Sequence, residues 1–221
     1  MQETVATPPV ESTLALGGTR QRLERIAGLT FFLLAAQFMV VIMLGAAMVP
    51  GYDFNAAAIS DLGVFPETAL LFNASLVVVG LATIGGGYAF YRSHERAWLF
   101  GLFVMGGFGA ILAGVFTLAS SPGLHGIGAL LAFLFFNLQA LGSARLVRGP
   151  MRWLSLALGL LGLAFVVLMV IGDAGNPAVF GPIGHGGAER MIVYPPMLWL
   201  LVFGGALVGT GTAAGSSAVA Q

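Results

Sequence analysis

Apolar and polar positions alternate along this chain in long blocks. Six stretches, residues 26–49, 68–91, 97–119, 125–144, 153–172 and 192–213, are dominated by Leu, Val, Ile, Phe, Ala and Gly, and none has Lys, Arg, Asp or Glu in its interior. The first block as a helix is roughly 36 Å long, enough to cross a hydrocarbon core of about 30 Å. Backbone polar groups in lipid must be satisfied within the segment, so each block is expected to be a helix. The pattern predicts an all-α polytopic membrane protein, a compact bundle of six transmembrane helices over residues 26–213. Residues 1–25 carry Pro8-Pro9 and neither apolar period, which predicts a flexible tail. Residues 214–221 form a second short tail. The first block exceeds the 7–15 apolar residues of a cleaved signal peptide, so it reads as an anchor that stays in place.

Composition agrees with the blocks. Charged residues make up 8% of the chain and hydrophobic ones 58%, whereas about a quarter of an ordinary soluble domain is charged. The formal net charge is zero and there is no Cys. The charge balance gives no reason to expect a nucleic-acid partner, and disulfides and thiolate chemistry are excluded.

The charges that remain fix an orientation. Six crossings put Arg20, Arg22, Arg25, Arg92, Arg96, Arg145, Arg148 and Arg152 on one side and leave Arg190 alone on the other. The positive-inside rule then expects both termini in the cytoplasm of a multi-pass plasma-membrane protein. Small residues suggest where helices approach closely. Gly106, Ala110 and Gly114 share one face of the third helix, Gly205 and Gly209 one face of the sixth, and Gly85-Gly86-Gly87 thins the second. Pro195-Pro196 would break a helix interior, which starts the last span there.

Candidate chemistry gathers on the side with one Arg. Residues 48–73 are the longest polar interruption and hold Asp53, Asp61 and Glu67; the second polar segment spans 172–194. Asp61 lies in Ile59-Ser60-Asp61-Leu62-Gly63, where it either forms a turn or binds a ligand. Pro66-Glu67 suits the opening of a helix, with the carboxylate near its positive end. Asn73, inside the second helix, needs a hydrogen-bond partner. His125 opens the fourth helix after Ser121, a capping residue, and Pro122. His185 and Glu189 are four apart in Gly184-His185-Gly186-Gly187-Ala188-Glu189-Arg190, and Arg190 is the one cation on this side. Two His with carboxylates offer a weak signal for a divalent metal; the spacing matches no standard site, and neither a metal nor another cofactor is expected. Asp61, His125 and His185 are expected to converge on one outer pocket.

Ile59-Ser60-Asp61-Leu62-Gly63, followed by Pro66-Glu67, Leu71-Phe72-Asn73 and a long apolar helix, with Glu189-Arg190 before the last span, resembles the prokaryotic, largely archaeal membrane family called domain of unknown function 998. The same residues with His125 to Phe133 are distantly similar to the FGF-receptor-activating and damage-regulated autophagy modulator superfamily, which implies six helices and a link to lipid homeostasis.

Three classes of function follow. The leading one is a non-enzymatic protein whose outer polar site, built from Asp61, Glu67, Asn73, His125, His185, Glu189 and Arg190, binds a lipid headgroup, a small molecule or a membrane-protein partner. A metal-dependent intramembrane lipid hydrolase comes second; the third His, His94, lies on the wrong side for it. A small-solute transporter is third, because the spans carry no acid or base near the midplane, where Gln37, Asn137 and Gln139 are the large amides.

Overall fold

A computed structural model describes residues 10–218, with side chains described for 17–209. Its helices are α1 (Val10–Met48), α2 (Ala69–His94), α3 (Ala97–Val115), α4 (Pro122–Ser143), α5 (Pro150–Asp173) and α6 (Gly184–Ala218), with 3-10 turns at Ser60–Gly63 and Pro177–Ile183. Each helix contains a segment long and apolar enough to cross a membrane. The protein is therefore a six-helix, multi-pass membrane protein. Consecutive helices pack side by side, α6 returns to α1, and α4 also touches α6, so the bundle is a ring closed on itself. Large side chains exposed on its outside, including Leu33, Leu70, Leu81, Leu160 and Val167, suit a lipid surface.

Glycine sets how closely the helices approach. A Cβ on Gly28 would meet the backbone of Gly204, and one on Gly109 the backbone of Gly128 and Ala132, which joins α1 to α6 and α3 to α4 at backbone distance. Gly80 and Gly107 oppose each other between α2 and α3 in the same way. On α3, Gly106 sits against Gln139 and Gly114 against the Asn73 carbonyl. The close contact expected at Gly205 is made by its neighbour: a Cβ on Gly205 would meet nothing within 4 Å, and Gly204, one residue away, packs against Gly28 and Phe32.

The two halves of the ring are filled differently. Toward the Arg-rich end, Phe31 stacks on Phe103 with centroids 5.0 Å apart, Trp199 stacks on Phe203 at 4.8 Å, and Phe90 leans on Phe203. Trp199 donates its indole N–H to Ser155, whose hydroxyl donates to the Met151 carbonyl, tying α6 to α5. Toward the Arg-poor end the fill is looser and leaves a crevice.

Two boundaries differ from the expectation. Residues 10–25, read as a flexible tail, continue α1 as helix, since extending an existing helix avoids the cost of nucleation. Glu24 in this extension accepts from Arg20 at 3.2 Å and lies 3.5 Å from His94 Nε2 at the end of α2. Residues 1–9 lie outside the described residues, as do 219–221, and 214–218 extend α6.

The second difference concerns Pro195-Pro196, which sit inside α6 rather than at its start. Proline at 196 cannot donate to the carbonyl four residues back, at Ile192. The Asn137 side-chain amide donates to that carbonyl at 3.1 Å. Asn137 fits there because position 162 on α5 is glycine, whose Cβ would collide with the amide. A neighbouring helix thus repairs the break, as membrane helices allow.

Candidate functional site

The loop between α1 and α2 is held down by the start of α6. Gly184 has φ of +64°, and a Cβ there would run into the Asn55 carbonyl; one on Gly186 would meet the carbonyls of Phe54 and Ala57. With no side chain in the way, the Gly186 N–H donates to the Asn55 carbonyl at 2.8 Å. Arg190, 7% exposed, donates to the carbonyls of Phe54 (2.9 Å), Ala57 (2.9 Å) and Gly186 (2.7 Å) and to the Tyr52 hydroxyl (2.8 Å). Its guanidinium also lies over the Tyr52 and Phe54 rings, leaving buried Nε without a partner. Glu189 takes the complementary groups, accepting the Ile59 N–H at 2.7 Å and the Ser60 N–H at 3.3 Å. Two adjacent residues therefore grip one loop, Arg190 by its carbonyls and the Glu189 carboxyl by its amides.

The loop's own residues complete the clamp. Asp61 accepts the Ala58 N–H at 2.9 Å through its carboxylate, and its carbonyl accepts from Val64 and Phe65. Of the two roles open to Asp61, turn formation is the one seen. Tyr52 donates to the Ala58 carbonyl at 2.8 Å. Burial pushes its phenol above its ordinary value, against the opposing pull of Arg190, so the neutral hydroxyl both donates and accepts. Asn73 donates to the Gly63 carbonyl at 2.9 Å and Thr68 to the Leu62 carbonyl at 2.7 Å, which docks the 3-10 turn onto α2.

Beneath the clamped loop lies a narrow crevice with a cavity volume of about 60 Å³. Its walls come from α1, α2, α3, α4 and α6 and are almost wholly apolar, among them Phe38, Phe72, Val79, Phe136 and Met197. Three polar residues reach it: Ser60, Glu189 and His125. His125 is 4% exposed, and its Nδ1 lies 3.0 Å from the Ala113 carbonyl and 3.2 Å from that of Phe116. Two acceptors around one nitrogen assign the proton to Nδ1. Nε2 is buried with no partner.

The family model described as "Protein of unknown function (DUF998)" matches residues 16–206, which is most of the chain. The chain belongs to this family. No curated protein and no solved structure matches it, so the similarity to the FGF-receptor-activating superfamily gains no support. In this DUF998 protein, Ile59-Ser60-Asp61-Leu62-Gly63 and Glu189-Arg190, which are 130 residues apart in their contact between Ile59 and Glu189, are two halves of the loop clamp.

The expected site residues divide into three groups. Asp61, Glu189, Arg190 and Asn73 hold the loop, and Glu189 also joins His125 at the crevice. His185 is drawn elsewhere: its Nε2 lies 3.2 Å from Asp173 on a half-exposed surface, with its ring edge-on to Phe180. Of the three residues expected to converge, His125 lines the crevice together with Glu189 and Ser60, Asp61 holds the loop and His185 contacts Asp173. Glu67 is exposed and precedes Thr68, the N-cap of α2, so Pro66-Glu67 leads into that helix instead of opening it. Ser121 occupies the N-cap of α4 without a side-chain capping bond. Among the described residues, no group of three or more His, Asp or Glu is arranged to hold a metal.

Ser60 at the crevice was not singled out from sequence, nor were Tyr52, Gly184 and Gly186 as parts of the clamp. The signal available was local: Gly-x-Gly beside Glu-Arg marks a backbone that another segment approaches closely. At the opposite end, an open cleft of about 480 Å³ is lined by His94 and Glu95 and by Arg20, Arg92 and Arg96, three of the eight Arg on which the expected orientation rests.

Proposed function

We propose that this DUF998 protein binds a membrane lipid, or a small molecule with a long apolar body, in the crevice under the 49–68 loop, and does so without turning it over. The supporting observation is the crevice itself, narrow, apolar-walled and lined also by Ser60, Glu189 and His125, a mostly apolar lining with a few polar groups of the kind ligand sites have. Eight Arg at one end and Arg190 at the other favour cytoplasmic termini, and with them a plasma-membrane location. The crevice then lies in the outer half of the bilayer. The polar residues first expected to meet a headgroup from outside instead hold the roof of this site. Turnover would need a nucleophile or activated water, a base and a stabiliser of developing charge. The Glu189 carboxylate and the Arg190 guanidinium are already committed to backbone groups.

Mass spectrometry of the protein purified in mild detergent tests the reading. A lipid retained at near-stoichiometric level is expected, and Ala110→Leu, which grows a side chain into the crevice, should lose it while melting normally. Equal lipid content in the two proteins would refute the assignment. Accumulation of lipid breakdown products by the purified protein would replace binding with hydrolysis.

A further inference from the structure

We infer that the crevice selects ligands whose polar end is a hydrogen-bond donor, a long-chain alcohol or another hydroxyl-bearing lipid, and that His125 Nε2 receives that donor. The inference rests on the crevice being a ligand site and adds the chemistry of the ligand's end. With the His125 proton engaged between the Ala113 and Phe116 carbonyls, a neutral imidazole presents a bare lone pair at Nε2. That atom is buried, has no partner and belongs to a residue lining the crevice. A buried acceptor without a donor carries a desolvation penalty, and a ligand hydroxyl arriving there removes it. Glu189 lines the same crevice, but both its carboxyl oxygens already accept from the Ile59 and Ser60 amides, so the preference rests on Nε2. Ser60 can donate or accept and leaves the preference unchanged. An ether or ester oxygen of the same length would bring a lone pair against the Nε2 lone pair, and an alkane would leave Nε2 as it was.

The probes are radiolabelled hexadecanol, hexadecyl methyl ether and hexadecane, measured against the detergent-purified full chain. Hexadecanol should bind about ten- to a hundredfold tighter than the ether or the alkane, the range set by one buried acceptor gaining or missing its donor. His125→Asn separates the two ring nitrogens. Its side-chain amide can still donate to the Ala113 and Phe116 carbonyls but offers nothing at the Nε2 position, so the fold should persist and the alcohol preference shrink to within about threefold, less than half the free energy of a tenfold step. The wild-type comparison stands alone if that variant does not fold. Equal binding of all three probes to the wild type would overturn the inference while leaving the crevice a ligand site, with Nε2 satisfied by water. Binding of none of them would remove the crevice reading and this inference together. An alcohol preference that survives intact in a folded His125→Asn would take His125 out of the recognition.

Discussion

Replacing Asn137 with Leu is the most informative perturbation of this fold, because its effect should depend on a proline fifty-nine residues away. In the native chain the Asn137 amide donates to the Ile192 carbonyl at 3.1 Å and to the Phe133 carbonyl of its own helix at 2.8 Å. The first of these carbonyls lost its helical donor to Pro196. Leucine has nearly the same shape, so little cavity forms, but Ile192 is left with an unsatisfied carbonyl inside the bundle. Interhelical hydrogen bonds in membranes average about 0.6 kcal/mol and reach about 1.7, and an orphaned buried group costs about 1–3 kcal/mol. A loss of about 1–2 kcal/mol is therefore expected. Part of this is offset because the Asn137 carbonyl oxygen is itself buried without a partner, and leucine removes it.

Pro196→Ala restores an N–H that reaches the Ile192 carbonyl along α6, so Asn137→Leu should cost less in that background. A double-mutant cycle, read by reversible unfolding in mixed detergent micelles, should give a coupling of about 1 kcal/mol. Additive effects of the two substitutions would refute the claim that Asn137 substitutes for the missing proline donor.

The clamp and the topology can be tested in parallel. Gly186→Val should force the start of α6 away from the Phe54 and Ala57 carbonyls and destabilise by about 2 kcal/mol or more, as overpacking does; hydrogen exchange should show residues 52–60 opening before the helices. Glu189→Gln keeps the volume but loses the charge-assisted bonds to the Ile59 and Ser60 amides, with an expected loss of about 1–3 kcal/mol; unchanged amide protection at 59 and 60 would argue against the clamp. Arg190→Lys should loosen the same loop, because one ammonium cannot reach the separate acceptors that a guanidinium spans; a melting temperature equal to that of the wild type would contradict this. In this Cys-free chain, Asn55→Cys should react with a membrane-impermeant thiol reagent on intact cells and Arg148→Cys only after permeabilisation. The reverse pattern would invert the orientation.

How much of this was legible in the residues depends on the range of the interaction involved. Hydropathy over some twenty residues is a local sum, and lipid forces each such segment into a helix, so the number of helices and the all-α class could be read directly. Close backbone approach needs small side chains, which made Gly106 and Gly114 recognisable as contact points. The choice between Gly204 and Gly205 could not be read, since one residue of helical rotation turns a packing face toward lipid. The polar residues could be picked out along the chain, but not the partners that folding gives them. Asp61, Glu189 and Arg190 look like an exposed ion-binding face when written in a line, yet folding turns them onto the backbone of one loop, where each satisfies groups the apolar surroundings cannot. Pro195-Pro196 signalled a helix end because a proline's missing donor is a local fact; the Asn137 that replaces it is supplied by a helix on another part of the ring. The sequence alone determined the helices and the polar residues available to them, for these follow from short-range solvation. Only the tertiary structure decided which polar atoms were consumed in holding the chain together and which, His125 Nε2 among them, were left buried without a partner, because pairing is settled by distances between segments that the linear order does not contain.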